Sequence, residues 1–223
     1  REWLNPTAAT PEEFVAFMKK HGKVMLKPAC DGKGHGITVY HYEGDEAARA
    51  YHDTLVGEPM LVEEMPIQHP QMDRLNPHCL NTARVTTYTD RDDVHILLAS
   101  LRSAKDTRVV DNFSAGGISA LIDPETGCIC SDGADKKGRR YAAHPDTGVR
   151  FNGYRLPEWD KAVAMVTTAA HMVPGNHYCG WDLAYSTHGW CMVEANCTAQ
   201  MGGMQIITQT GRKAELEALI AQM

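Results

Sequence analysis

Long apolar runs are missing from this chain. Although 43% of its 223 residues are hydrophobic, no run approaches the roughly 18 consecutive apolar residues that a membrane-spanning helix needs. The N-terminus lacks a basic stretch followed by an apolar one, the pattern of a secretory leader, so the expectation is a cytoplasmic protein without a membrane span. Paired CxxC motifs are missing too. The seven cysteines are odd in number, which points to reduced thiols rather than a disulfide framework. Cys128 and Cys130 form a lone CxC without the further ligands a zinc site requires. A basic excess is also absent: 22 Lys and Arg stand against 28 Asp and Glu, a net charge of −6. With no basic stripe, nucleic acid is excluded as the main partner. No Gly-Lys-Ser/Thr sequence enters a helix, so there is no P-loop. What remains is a chain long enough to bury a real core, as one large domain or two lobes. It starts with Arg1 rather than methionine, and the numbering is expected to begin inside a longer protein.

Thr10-Pro11-Glu12-Glu13 supplies a capping hydroxyl, a first-turn proline and a glutamate three residues after the cap, a complete helix start that Gly22 can end. A short strand is predicted over Lys23 to Lys27 and another over Ile37 to Tyr42. Between them Pro28 to Gly36 is too rich in glycine to continue a strand. A second helix fits Asp45 to Leu55, and Met60 to Met65 reads as an apolar strand ending in Glu63 and Glu64. A glycine loop flanked by Lys27 and Lys33 has two readings, a phosphate wrap built from unhindered backbone NH groups and ammonium charge, or a plain surface hairpin. Glu63 and Glu64 are equally open, as site residues or as solvated acids.

Two longer strands follow, Cys79 to Thr89 and Val94 to Ser103, separated by the polar turn Asp90-Arg91-Asp92-Asp93 and expected to pair as a hairpin. Each carries one arginine, Arg84 and Arg102, read either as an exposed face residue or as an anion clamp. Residues 132 to 158 are polar and turn-rich with no period. Trp159 to Met172 has helical spacing at Ala162, Val163, Val166, Ala169 and Ala170, a core stripe. The segment from Gly180 to Asn196 reads as two strands around Thr187-His188-Gly189, with Gly189 suited to the left-handed place in a three-residue turn. With Ser186 opposite Trp190, Asp182 falls opposite Glu194, and Asn196 joins their face two residues on. Like charges so placed repel unless a cation sits between them. Two carboxylates and an amide suit magnesium; the other reading is a polar outer sheet face.

Lys27-Pro28 before a glycine loop, Val62-Glu63-Glu64 on a following strand, and Asp182 before Glu194-x-Asn196 together resemble the ATP-grasp superfamily. Asn81-Thr82-x-Arg84, Val110-Asp111-Asn112, Gly116-Gly117 and His144-Pro145-x-Thr147-Gly148 are similar to its sugar-transfer-associated branch, over roughly Glu13 to Gln209. The resemblance implies an α+β fold of two lobes with antiparallel sheets that grip ATP, a small one over 1–66 and a large one over 67–223. It implies Lys27 at the α- and β-phosphates, and Asp31, Gly32, Gly34 and Gly36 in a loop closing over the triphosphate. It implies Glu63, Glu64 and Met65 at the adenine and His69 toward the ribose. Asp182, Glu194 and Asn196 match magnesium ligands, and Arg84, Arg102 and Asn112 match positions that meet the γ-phosphate or an acyl-phosphate, for which arginine forks are well shaped.

The implied activity is an ATP- and magnesium-dependent ligation of a small-molecule carboxylate to an amine through an acyl-phosphate, in sugar or polysaccharide assembly. An ATP-grasp kinase and a catalytically silent nucleotide-binding module are the alternatives. Two departures stand out. Many ATP-grasp ligases carry an arginine two residues before the metal-binding aspartate, where this chain has Gly180. An additional ATP-binding lysine and a preceding α/β domain have no counterpart in the 26 residues before Lys27.

Overall fold

The computed structural model describes residues 1–30, 36–90, 93–106, 113 and 116–221. The chain divides into two compact units, Arg1–Pro66 and Ile67–Met223. The fold is α+β, and among the described residues no helix is long and apolar enough to cross a membrane.

In the first unit, strands β1 (Trp3–Leu4), β2 (Lys23–Pro28), β3 (Thr38–His41) and β4 (Met60–Glu64) form an antiparallel sheet in the order β1-β4-β2-β3. Helices α1 (Pro11–His21) and α2 (Asp45–Leu55) supply its core. The start of α1 is held by a capping box: the Thr10 hydroxyl accepts from the Glu13 amide, and the Glu13 carboxylate accepts from the Thr10 amide at 2.8 Å. Strand alternation then divides β2 and β4. Val24, Leu26 and Val62 are buried with Phe14, Met18, Ala48 and Leu55 from the helices, which leaves Met25, Lys27 and Glu63 on the other face.

The second unit is built on a seven-stranded antiparallel sheet in the order β11-β10-β5-β6-β7-β8-β9. Its strands are β5 (Thr82–Asp90), β6 (Asp93–Ser103), β7 (Ile118–Ile122), β8 (Gly133–Asp135), β9 (Arg140–Tyr141), β10 (Tyr178–Ser186) and β11 (Gly189–Asn196). Helix α4 (Trp159–His171) follows β9, after the one-turn α3 (Pro70–Asp73) that precedes β5; α5 (Gly202–Thr208) and α6 (Lys213–Ile220) come last. The stripe Trp159, Ala162, Val166 and Ala170 on α4 is buried in one cluster with Ala83, Val85, Leu101, Ile118, Ala120 and Leu183. These strand residues share a face by alternation and register. The opposite face carries Arg84, Ser100, Arg102, Ser119 and Asp182.

Two expectations change. The strand expected from Cys79 begins at Thr82, because Gln68 ties down the residues before it: its amide donates to Cys79 O at 3.0 Å and its side-chain oxygen accepts from the Asn81 amide at 2.6 Å. Asn81, fully buried, donates in turn to Asn76 O at 2.8 Å, so this residue of the Asn81-Thr82-x-Arg84 motif is engaged in local backbone ties. The aperiodic stretch 132–158 holds β8 and β9, too short to show a period, followed by tight turns. His144 in that stretch is buried, its Nε2 2.8 Å from Ala104 O and 3.1 Å from Ser103 Oγ.

Candidate functional site

The hairpin β10–β11 sets the geometry. Ser186 pairs with Gly189 and Tyr185 with Trp190, so the expected three-residue turn with Ser186 opposite Trp190 is corrected to a two-residue loop, Thr187-His188. The Ser186 hydroxyl makes the tighter closure, donating to Gly189 O at 2.8 Å and accepting from the His188 amide at 3.1 Å. Gly189 lies at φ +96°, where a side chain would strain the backbone. A β-bulge follows between Asp182 and Leu183: Leu183 pairs with Met192 and Asp182 with Glu194, leaving Val193 as the extra residue. The bulge offsets the shorter loop, and the ladder at Asp182 has the register the sequence predicts, with Gly180 opposite Asn196. Asp182, Glu194 and Asn196 therefore share a face.

The electrostatics differ from the expectation. Asp182 is 3% exposed and its nearest charged partners are arginines. Arg84, directly across on β5, donates through Nε to Oδ1 and through Nη2 to Oδ2, the latter at 2.8 Å, a bidentate fork. Arg102, diagonally placed on β6, donates from Nη1 to both oxygens at 3.2 Å. The expectation that a metal must relieve repulsion between Asp182 and Glu194 is corrected, since two guanidinium cations already compensate Asp182. Glu194 is exposed. The donor chemistry still fits magnesium, with two carboxylates and an amide as hard oxygen ligands on one face.

Gly180 is where a side chain would collide with its neighbours. A Cβ there would meet Ala199 Cβ at 2.6 Å and Arg84 Cδ and Nη1 at 3.3 Å. The side chain of Arg84, reaching over from β5, thus lies against Gly180.

In the first unit, Lys27 Nζ donates to Glu63 Oε2 at 2.7 Å, and Arg1 donates to the same carboxylate oxygen. Glu63 is buried, which corrects its reading as a solvated acid. Glu64 is half-buried and its Oε2 lies 3.7 Å from His21 Nδ1, while His21 Nε2 lies 3.0 Å from Glu2 Oε2. Among the described residues these three are the group of His, Cys, Asp or Glu whose ligand atoms lie close enough, within 4.8 Å, to hold one ion. Met65 is half-buried, and Gly36 has φ +70°. His69, in the second unit, caps α3, its Nδ1 accepting from the Gln71 amide at 3.1 Å with its ring 5.0 Å from that of Tyr185. Asp31, Gly32, Gly34 and Asn112 lie outside the described residues.

One cluster has no counterpart in the sequence reading. Asp135, 2% exposed, accepts from Tyr141 Oη at 3.0 Å, Arg139 Nε at 2.8 Å, Lys105 Nζ at 3.3 Å and the Lys137 and Arg139 amides. Burial alone would raise its pKa, but the hydrogen bonds from Tyr141, Lys137 and Arg139 outweigh burial and hold the carboxyl far below the ordinary range. Burial pulls Lys105 down, and its bonds to Tyr141 and Asp135 more than reverse this. The only signal in the sequence was an acid in a turn-rich stretch, which is too common to single out.

Comparison with known proteins places the fold. Solved structures of the same fold include the ATP-grasp ligase PsnB complexed with a phosphomimetic variant of its minimal precursor, Mg and ADP, with TM-score 0.53, 16% identity, and coverage of 99% of this chain and 51% of that one. D-alanyl-alanine synthetase A from Vibrio cholerae O1 biovar eltor gives TM-score 0.52 at 12% identity, covering 97% and 57%. Carboxyaminoimidazole ribonucleotide synthase from Aspergillus clavatus, complexed with ATP, gives 0.50 at 13%, covering 94% and 47%. The chain spans about half the length of these structures. A sequence comparison with curated proteins finds no match. The family model for sugar-transfer associated ATP-grasp proteins matches residues 7–220, and with the likeness of fold, this chain belongs to the sugar-transfer associated ATP-grasp family.

Proposed function

We propose that this chain is the nucleotide-binding and catalytic part of an ATP- and magnesium-dependent ligase that joins a carboxylate to an amine. The observation that carries the reading is one sheet face bearing Asp182, Glu194 and Asn196 beside Arg84 and Arg102. Solved structures with this fold contain ADP and Mg, or ATP. Asp182, Glu194 and Asn196 would hold magnesium, which when bound supplies positive charge at the polyphosphate. Arg84 and Arg102 offer guanidinium donors to the oxygens of the phosphoryl group in transfer, and Lys27 offers an ammonium to the α- and β-phosphates. Fixed charge of this kind, with positioning, carries most of the catalysis in phosphoryl transfer.

The reaction runs in two steps. A substrate carboxylate oxygen attacks the γ-phosphorus as the bond to the β-phosphate oxygen breaks, giving an acyl-phosphate and ADP. The amine then attacks the acyl carbon, phosphate leaves, and the amine proton is lost to solvent or a base. The family description associates it with sugar transfer, so the proposed carboxylate or amine is borne on a sugar or polysaccharide precursor, and the use of ATP suits the cytoplasm. Release of ADP from pooled carboxylates and amines tests the reading. Both pools should be required for turnover and an amide should appear; equal turnover without any amine would turn the proposal into a kinase.

A further inference from the structure

We propose that Arg84 and Asp182 form an exchange pair, in which Asp182 holds the arginine until a polyphosphate takes it, so that a divalent cation enters only together with nucleotide. The inference rests on the proposed function of the same face. Its observations are the bidentate fork of Arg84 on both Asp182 oxygens, the second guanidinium of Arg102 on those same oxygens, and the absence of a Cβ at Gly180, beside which the stem of Arg84 lies.

The occupancy of Asp182 decides the order of events. Both Asp182 oxygens already accept hydrogen bonds from guanidinium groups, so a bare dication would have to displace them. A metal–nucleotide complex carries net negative charge and phosphate oxygens that compete for the fork. When those oxygens accept Arg84, the Asp182 oxygens are freed for the metal. Gly180 makes this geometry available: any side chain there would press on the arginine stem and on Ala199. Arg84 is thus a positioning residue toward the metal as well as an anion donor, and metal and nucleotide should bind with positive coupling.

Mn2+ binding, measured from the free-ion resonance with and without ADP, tests this on the whole chain. In the parent, Mn2+ alone should bind weakly, and ADP should tighten it by a factor within the roughly 5- to 150-fold range usual for coupled sites, with Mn2+ tightening ADP equally. In Arg84→Ala, Mn2+ alone should bind roughly tenfold tighter while its coupling to ADP shrinks. Arg84→Lys, which keeps the charge but loses the fork, should lie between, and it replaces the alanine variant if that fails to fold. Asp182→Asn identifies the Mn2+ bound here rather than at Glu2, His21 and Glu64. If Asp182→Asn removes ADP-dependent Mn2+ while folded Arg84→Ala leaves the affinity for Mn2+ alone and the coupling unchanged, the exchange pair is overturned and the metal site stands. If Asp182→Asn leaves ADP-dependent Mn2+ binding intact, the metal site itself is overturned.

Discussion

The two units solve the same electrostatic problem with different cations. Each sets a buried carboxylate on the sheet face turned away from its core helices and surrounds it with two positive groups, Lys27 and Arg1 on Glu63 in the first unit, Arg84 and Arg102 on Asp182 in the second. Lys27 makes a single point contact, whereas Arg84 grips both oxygens in a plane. An ammonium on a flexible stem leaves a partner with little geometric penalty; a fork fitted to a carboxylate leaves only for an acceptor of similar shape. The first unit should therefore give up its cation easily, and the second should release it selectively.

The largest effect is expected at Asp182. Asp182→Ala removes the carboxylate on which two mostly buried guanidinium groups converge, and losing one partner of such a set costs about 3–5 kcal/mol. Glu63→Ala, with a single Lys27 contact and a second contact from Arg1, should cost about 1–3 kcal/mol. Urea unfolding with amide exchange followed on β5 and β2 separates the units, and equal costs would erase the contrast.

Asp135 sharpens the comparison as a buried carboxylate outside the candidate site. Asp135→Asn should cost on the order of 3 kcal/mol. Its pKa is depressed in the folded chain, so its contribution is complete above the ordinary carboxylate pKa and is lost as pH falls through the lower folded value. Acid unfolding of the second unit should accordingly be less steep in Asp135→Asn than in the parent. An identical acid profile would mean that the hydrogen bonds around Asp135 do not favour its ionised form.

At Lys27 the expected effect is on binding. Lys27→Ala should weaken nucleotide affinity tenfold to a hundredfold, since a charge-assisted contact is worth about 1.5–3 kcal/mol, with a smaller loss of stability than in Glu63→Ala because Arg1 still pairs with Glu63. Unchanged affinity beside a lowered melting midpoint would return Lys27 to a sheet residue that merely neutralises Glu63. The smallest effect belongs to the α1 cap. Thr10→Ala should cost about 1 kcal/mol, felt in the first unit alone, and amide exchange in α1 reads it.

How far the fold was legible follows from what each signal depends on. α1, α2 and α4 were readable because caps and apolar spacing are local, and α2 spans Asp45–Leu55 as its pattern predicts. The short β8 and β9 were not, because two- and three-residue strands exist only through their neighbours, and α5 and α6 have no strong cap or stripe. Within the candidate site, Asp182 fell opposite Glu194 in the sequence reading because two misreadings cancelled: the tip is one residue shorter than expected, and the bulge at Val193, not visible as spacing, restores the offset. The pairing of Asp182 with two arginines was beyond sequence reach, since it depends on which strand lies beside β10, a fact of topology.

The bulge at Val193 also governs how the hairpin tolerates changes in length. In an uninterrupted ladder, one residue gained or lost at the loop turns over every side chain beyond it. Val193 absorbs one residue of offset, so the tip around Thr187-His188 and the stretch holding Asp182 and Glu194 keep separate phase. Counting back from the loop assigns the wrong partner to Asp182, whereas counting across the bulge does not. Alignment of this hairpin with relatives should therefore be anchored on the Glu194-x-Asn196 end, with insertions and deletions allowed to accumulate at the tip.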